Sequence, residues 1–400
     1  MEKANKIIYL DNNATTKVDE KVLDSMLPFL KENYANPSSM YDSARICSKA
    51  IEKARNQMAD FFGIENSKNI LFTSCATESA NTAIRGVVNQ YGTNEKNHII
   101  TTQVEHPCVL SVYQNLEKKG YKATYVGVNE KGELDIDNLL SKITPETILV
   151  SVMNANNETG AIYPVYDIAR EVKKIDKNIK VFVDGVQAAG KIPIELENSD
   201  IDFYSVSGHK FHAPKGIGAL YVKKGTLFEP LLLGGHQEKS LRAGTENTPY
   251  IVGLGEAAKL AKDGLTYENT EVKRLRDKLE NGILTKLKNA KLNSKSANRV
   301  PNTTNIGFEY IEGELILLYL NDVGICASSG SACTSGSLDP SHVLRAQKVP
   351  FTSLHGSIRF SLSRFTTEEE IDYTIQKVPE IIKKLAEISP FRDELSALGL

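Results

Sequence analysis

The chain has 400 residues, 41% of them hydrophobic and 24% charged, with a formal net charge of -2. That length and content bury a sizeable core, divided between two domains, and exclude a disordered chain. Acidic and basic residues are mixed along the sequence, so no basic stripe marks a nucleic-acid binder, and small-molecule or protein partners fit better.

The opening MEKANKIIYLDNNATT has no long apolar run, and no later stretch reaches the length that spans a bilayer. No membrane partner and a cytoplasmic location are therefore expected. Short apolar runs follow at 70–73 (ILFT), 98–102 (HIITT), 123–128 (ATYVGV) and 147–153 (TILVSVM), then at 180–184 (KVFVD), 203–207 (FYSVS) and 217–222 (IGALYV). Amphipathic stretches lie between several of them, as at 109–119 and 165–174. Strands alternating with helices predict an α/β protein with a mostly parallel sheet covered on both faces. From 250 to about 288, apolar residues recur at helical spacing among Lys and Glu, which predicts one or two long helices bridging to a second unit. TTNIGFEYI, a helix at 312–321, the run ICASSGSACTSGS, the strand SIRFSL and a helix from Glu368 make that unit a smaller α+β domain.

Five cysteines (Cys47, Cys75, Cys108, Cys326 and Cys333) are scattered without a CxxC pair, which argues against a disulfide framework and a closed zinc site. Cys47, Cys108 and Cys326 read as packing residues. Cys75 lies beside the candidate phosphate site described next and receives no catalytic role.

The segment SVSGHKFHAPKG ends an apolar strand in Ser207, Gly208, His209 and Lys210. A lysine just past a buried strand is partly desolvated, and its amine then holds an aldehyde as a Schiff base. Ser207 and His209 offer donors to a phosphate. Alone, such a lysine is more often a surface side chain. FVDGVQAAGK supplies the context: Asp184 at a strand end is the carboxylate that keeps a pyridinium nitrogen protonated, with Gln187 three residues on. FTSCATESAN adds a strand followed by Ala76 and Thr77 at a helix start, where unpaired N–H groups bind anions, although the same pattern also fits a plain cap. His106 in VEHPCVL follows a strand and precedes a proline-started helix; its flat ring suits stacking or proton transfer, or a structural role. Cys333 lies among the small polar residues SSGSACTSGS, a loop by composition. That loop is either a glycine-serine turn or the carrier of a thiolate that attacks a substrate sulfur and moves away with it.

YLDNNATT, NPSS, ATES, EHP, ANNETG, DGVQ, SGHK, APKG, GGHQE, RAGTEN and SGSACTSGSL resemble, in order and spacing, the cysteine desulfurases of the NifS/IscS type, over nearly the whole chain. The resemblance implies a pyridoxal 5'-phosphate transferase of fold type I acting as a homodimer. It implies a large domain over 15–260 and a small domain from 1–14 and 261–400, the latter carrying a mobile catalytic-cysteine loop at about 326–340. By matched position it assigns Lys210 to the cofactor aldehyde, Asp184 to the ring nitrogen, Gln187 to the ring hydroxyl and His106 to stacking. Ala76, Thr77, Ser207, Gly208 and His209 would surround the phosphate, and Thr245 would reach the partner subunit's cofactor. Asn157 and Arg359 would sit near the ring and the substrate carboxylate, for which the planar guanidinium is suited.

The implied reaction takes sulfur from L-cysteine, giving L-alanine and a persulfide on Cys333. That sulfur would pass to an iron-sulfur scaffold protein, with an iron ion transiently meeting it. GGHQE and AGTEN look more like the nitrogen-fixation branch than the housekeeping one. Gly185, Gly208 and Tyr41 depart from the family's commonest residues without removing a functional group the reading uses. Two other readings remain at this point: another fold-type I enzyme, a selenocysteine lyase or an aminotransferase, which needs no Cys333, and a non-catalytic sulfur or metal carrier.

Overall fold

A computed structural model describes residues 7–293, 295–329 and 340–400. In chain order its first half comprises β1 (Ile8–Tyr9), α1 (Glu20–Lys31), α2 (Asp42–Phe61), β2 (Ile70–Thr73), α3 (Ala76–Tyr91), β3 (His98–Thr102), α4 (Pro107–Glu117), β4 (Lys122–Val126), α5 (Ile136–Leu140), β5 (Thr147–Met153) and α6 (Val165–Ile175). The second half adds β6 (Lys180–Asp184), β7 (Phe203–Ser207), β8 (Gly218–Val222), α7 (Thr248–Asp263), α8 (Leu265–Tyr267), α9 (Lys273–Leu284), β9 (Ala290–Leu292), β10 (Thr303–Phe308), α10 (Gly313–Asp322), β11 (Ile325–Cys326), β12 (Ser357–Ser361) and α13 (Glu368–Ile388), with the short α11 (His342–Ala346) and α12 (Phe351–Leu354) before β12 and α14 (Arg392–Ala397) at the end.

Seven strands form one sheet in the order β2-β8-β7-β6-β5-β3-β4. The five from β4 to β7 run parallel, and β8 is antiparallel to both of its neighbours. Alternate residues of these strands feed opposite cores. Ile100, Val150, Val181 and Val183 face one layer with α6 and α7, whereas Ile99, Leu149, Phe182 and Phe203 pack with α3 and α4 on the other. Burial on both faces is why these segments read as continuous apolar runs.

A second core gathers Ile306, Phe308, Ile358 and Phe360 of the antiparallel sheet β12-β10-β9 with α9, α10 and α13. Ile8 and Leu10 join that core, and β1 pairs parallel with β11. The chain's first described strand thus packs with its last third.

The mostly parallel sheet flanked by helices agrees with the expected α/β class. The predicted bridge at 250–288 is more broken than its periodicity suggested: α7 stops at Asp263, and a π turn at Glu268–Val272 separates α8 from α9. Gly185 and Gly208, two of the three departures from the commonest family residues, have steric reasons. A Cβ on Gly185 would meet the Tyr204 ring at 1.9 Å, and one on Gly208 would meet the Ala213 Cβ at 2.8 Å.

Candidate active site

Parallel strands all open their C-terminal ends on one sheet edge, where the chain turns into helices and loops. Here β6 ends in Asp184, β7 ends in Ser207 followed by the single 3₁₀ turn Gly208–Lys210, and β3 leads into Glu105 and His106. A cavity of about 350 Å³ lies on this edge. Its lining includes Asp184, Gln187, Ser207, His209 and Lys210 from the β6 and β7 ends, and Ala76, Thr77 and His106 from helix starts. Asn157 and Arg359 close the opposite side with Asn13 and Ala14.

Lys210 Nζ donates to the carbonyls of Asn13 and Ala14, each at 2.7 Å. Gln187 Nε2 donates to the same Asn13 carbonyl at 3.0 Å. Asp184 is buried, with one carboxylate oxygen accepting from Val186 N at 3.1 Å and the other 3.9 Å from the Cys108 thiol. Burial pushes its pKa up to about 6 against the opposing pull of Val186 N and Lys210. A cation seated against it would restore its charge, which is what a protonated ring nitrogen supplies.

His106 caps α4, its Nδ1 accepting from Cys108 N at 3.1 Å. Burial, then the charges of Lys210 and His342, lower its pKa to about 4, so the ring is neutral and carries its proton on Nε2. His209, whose Nδ1 lies 3.2 Å from Thr15 Oγ1, is likewise lowered to about 4 by burial and three lysines. The start of α3 has no side-chain cap at Cys75, and its first residues, Ala76 and Thr77, line the cavity, where unpaired helix N–H groups bind anions.

Arg359 is buried; its Nη2 pairs with Asp11 Oδ1 at 2.7 Å and its Nη1 donates to Asn157 O at 2.9 Å. Its Nε is buried without a partner among the described residues. The donor set therefore fits a phosphorylated pyridine aldehyde: anion-binding helix start, carboxylate, lysine and neutral imidazole on one cavity, with a guanidinium for a carboxylate nearby.

Two expected residues lie off this cavity. Gly208 is buried against Ala213 and Leu254, and its close packing positions the turn that carries Lys210. Thr245 is exposed, three residues from Arg242, which forks onto Glu78 of α3 at 2.9 and 3.3 Å. Cys333, with the metal contact expected of it, lies outside the described residues. The residues flanking 330–339 are tied to the site: Ser328 pairs with the backbone of Arg359, Ser341 donates to the buried Glu158, and His342 Nε2 meets Glu105 O at 2.9 Å. Among the described residues no cluster of His, Cys, Asp or Glu is arranged to hold a metal ion.

Sequence reasoning missed four participants. Asn13 and Asp11 sit in YLDNNATT but were given no role. Glu105, adjacent to His106, is wholly buried; its Oε1 accepts from Thr102 Oγ1 at 2.7 Å and Met153 N at 2.9 Å, while Oε2 has no partner among the described residues. Cys108 does pack against the α3–α4 core, but its thiol also meets Asp184, so the purely packing role expected of it is corrected. The run EHPC held the only signal for these last two.

The family description Aminotransferase class-V matches residues 8–374. A "Cysteine desulfurase" of Nostoc sp. is 54% identical over 391 residues, covering 97% of this chain and 96% of that protein. The "Cysteine desulfurase NifS" of Azotobacter vinelandii is 52% identical over 384 residues, covering 96% and 94%. Among solved structures, a "NIFS-LIKE PROTEIN" is 40% identical with a TM-score of 0.89, over 95% of this chain and all (100%) of that one. "SspA in complex with cysteine" is 34% identical with a TM-score of 0.79, over 90% and 100%.

Proposed function

The chain belongs to the class-V aminotransferase family and is a pyridoxal-phosphate-dependent cysteine desulfurase, and on that premise we propose how its own residues divide the work. The observation that carries the proposal is the convergence of Lys210, Asp184, the α3 start and Arg359 on one cavity. Ala76, Thr77, Ser207 and His209 would hold the phosphate, with Gly208 positioning the turn that carries His209; Asp184 would hold the ring nitrogen, Gln187 the ring hydroxyl, and His106 would stack on the ring. The bound cofactor supplies an electron sink for the carbon attached to the substrate amine.

Lys210 would hold the cofactor through its amine and, when that amine is free, would accept the α-proton of the substrate. Arg359 and Asn157 hold the substrate carboxylate, which fixes the cysteine side chain in one direction. Cys333, as thiolate, attacks the substrate sulfur. The carbon–sulfur bond breaks with its electron pair left on carbon, that carbon takes up a proton, Lys210 returns a proton to the α-carbon so that alanine can leave, and Cys333 keeps the sulfur as a persulfide.

The proposal extends to a large cofactor domain over 15–260 and a small domain from 1–14 and 261–400. It takes the working form as a homodimer in which Thr245 completes the partner subunit's phosphate site. An iron-sulfur scaffold protein accepts the sulfur, an iron ion meeting it transiently. The unpaired state of Cys47, Cys75, Cys108 and Cys326 supports work in the reducing cytoplasm.

Mass spectrometry after incubation with L-cysteine tests the central claim. The peptide containing Cys333 gains the mass of one sulfur, and Cys333→Ala forms no alanine while keeping its visible cofactor band. Unchanged alanine formation by Cys333→Ala would overturn the sulfur-transfer step and favour another reaction of the same fold. Loss of the visible band in Lys210→Ala separates cofactor attachment from sulfur transfer.

A further inference from the structure

Behind Lys210, on the side away from the main cavity, lies a second lysine with no surface to explain it. Lys191 is 5% exposed. It lines a small cavity of about 20 Å³ that also touches Lys210, Glu268 and Arg364. Among the described residues, its ammonium makes one side-chain hydrogen bond, to Gln187 Oε1 at 3.4 Å. Burying an ammonium without a close ion pair is unfavourable, so a structural reason must hold it there.

We propose that Lys191 is a positioning residue for the cofactor site, fixing which end of the Gln187 amide faces the reacting groups. The inference rests on the desulfurase reading above and goes beyond it. An amide has one accepting and one donating end. With Lys191 donating to Oε1, Gln187 is left with Nε2 directed at the Asn13 carbonyl, 3.0 Å away, the same oxygen that receives Lys210 Nζ at 2.7 Å. A ring oxygen brought to Gln187 therefore meets a donor. Were the amide reversed, it would meet an acceptor and be repelled.

The bridge between the two cores holds Lys191 in place. The π turn Glu268–Val272 directs two consecutive residues to it: Asn269 Nδ2 donates to the Lys191 carbonyl at 2.8 Å, and the Glu268 carboxylate opposes its charge. Local π turns widen a helix and redirect side chains, and they recur at functional sites. Burial pushes the Lys191 amine below its usual range, and Glu268 draws it back toward the charged form. Arg364, tied to Asp19 at 2.6 Å, and Lys210 are the other charges facing this cavity.

The experiment titrates apoenzyme with pyridoxal 5'-phosphate and follows the visible band. Lys191→Met removes the donor and keeps the length of the side chain. It is expected to weaken cofactor binding about tenfold, the loss of one hydrogen bond made by a charged group, and to move the band maximum. In a Gln187→Ala background the same substitution is expected to change affinity by less than about twofold, because the two act as one unit. If Lys191→Met is insoluble, the pair Lys191→Met with Glu268→Leu removes both buried charges, a change that cores commonly tolerate, and is read the same way. Wild-type affinity and band position in the variant overturn the inference, as does an equal loss in both backgrounds. A wild-type protein that develops no visible band overturns the desulfurase reading instead.

Discussion

The cavity has two walls of different construction. The sheet-edge wall sets Asp184 and Ser207 directly at strand ends and Lys210 one 3₁₀ turn beyond β7, so the hydrogen-bond ladders of β6 and β7 anchor them. The facing wall is assembled from segments far apart in the chain: Asn13 Nδ2 reaches Thr303 Oγ1 at 2.8 Å and Asn157 O at 3.1 Å, and Arg359 joins Asn157 to Asp11. A residue on the first wall can lose its functional group while the backbone stays. On the second wall the functional groups are also the fasteners, so chemistry and folding are coupled.

The largest expected effect probes the first wall. Asp184→Asn keeps the side chain's shape and the contact from Val186 N but removes the charge opposite a ring nitrogen. Turnover of L-cysteine should fall by roughly 10²-fold or more, within the range for a group that supports proton transfer. Because burial raises the Asp184 pKa to about 6, the apoenzyme at pH 7 should unfold at the same temperature as wild type or higher. Turnover within about twofold of wild type would break the assignment, and a lower unfolding temperature would break the contrast between the walls.

The second wall should answer differently. Arg359→Lys keeps a positive charge but loses the planar fork that spans Asp11 and Asn157 O. KM for L-cysteine should rise about tenfold with kcat little changed, the signature of lost ground-state binding. Arg359→Ala should also lower stability by about 2–4 kcal/mol, since it strands Asp11 and leaves Asn157 O with Asn13 Nδ2 alone as donor. Denaturant midpoints for both variants, read beside their kinetics, give the coupling; an Arg359→Ala protein as stable as wild type would remove it.

This division also marks what the sequence makes legible. The runs at 70–73, 98–102, 147–153, 180–184 and 203–207 coincide with β2, β3, β5, β6 and β7, because burial on both faces leaves an uninterrupted apolar signature. Asp184 is readable as the residue that ends β6, and Lys210 as the lysine just past the end of β7. Asn13, Asp11 and the partners of Arg359 are not, since their contacts join positions more than a hundred residues apart and no local period records them. The π turn is equally silent in sequence, where Glu268 reads as one more charged residue on a helix. Gly185 becomes explicable only once the Tyr204 ring is seen to fill the space beside it.

Glu105 gives the smallest effect and tests whether the sheet edge tolerates changes of charge as its construction implies. It fastens β3 to β5 through Thr102 Oγ1 and Met153 N, and Met153 pairs in register with Asp184. Burial, with the Asp184 charge adding to it, raises its pKa to about 8. An acid whose folded pKa lies above its unfolded value holds its proton in the folded state after the unfolded chain has lost it. Wild-type stability should therefore fall as pH rises from about 4.5 toward about 8 and be indifferent to this group outside that window. Glu105→Gln keeps an acceptor for both donors and cannot ionise, so it should match wild type near pH 5 and gain on it steadily up to pH 8, with cofactor affinity held within about twofold. Parallel stability curves for the two proteins across that range would mean that Glu105 is ionised in the fold, and that the sheet edge needs its charge after all.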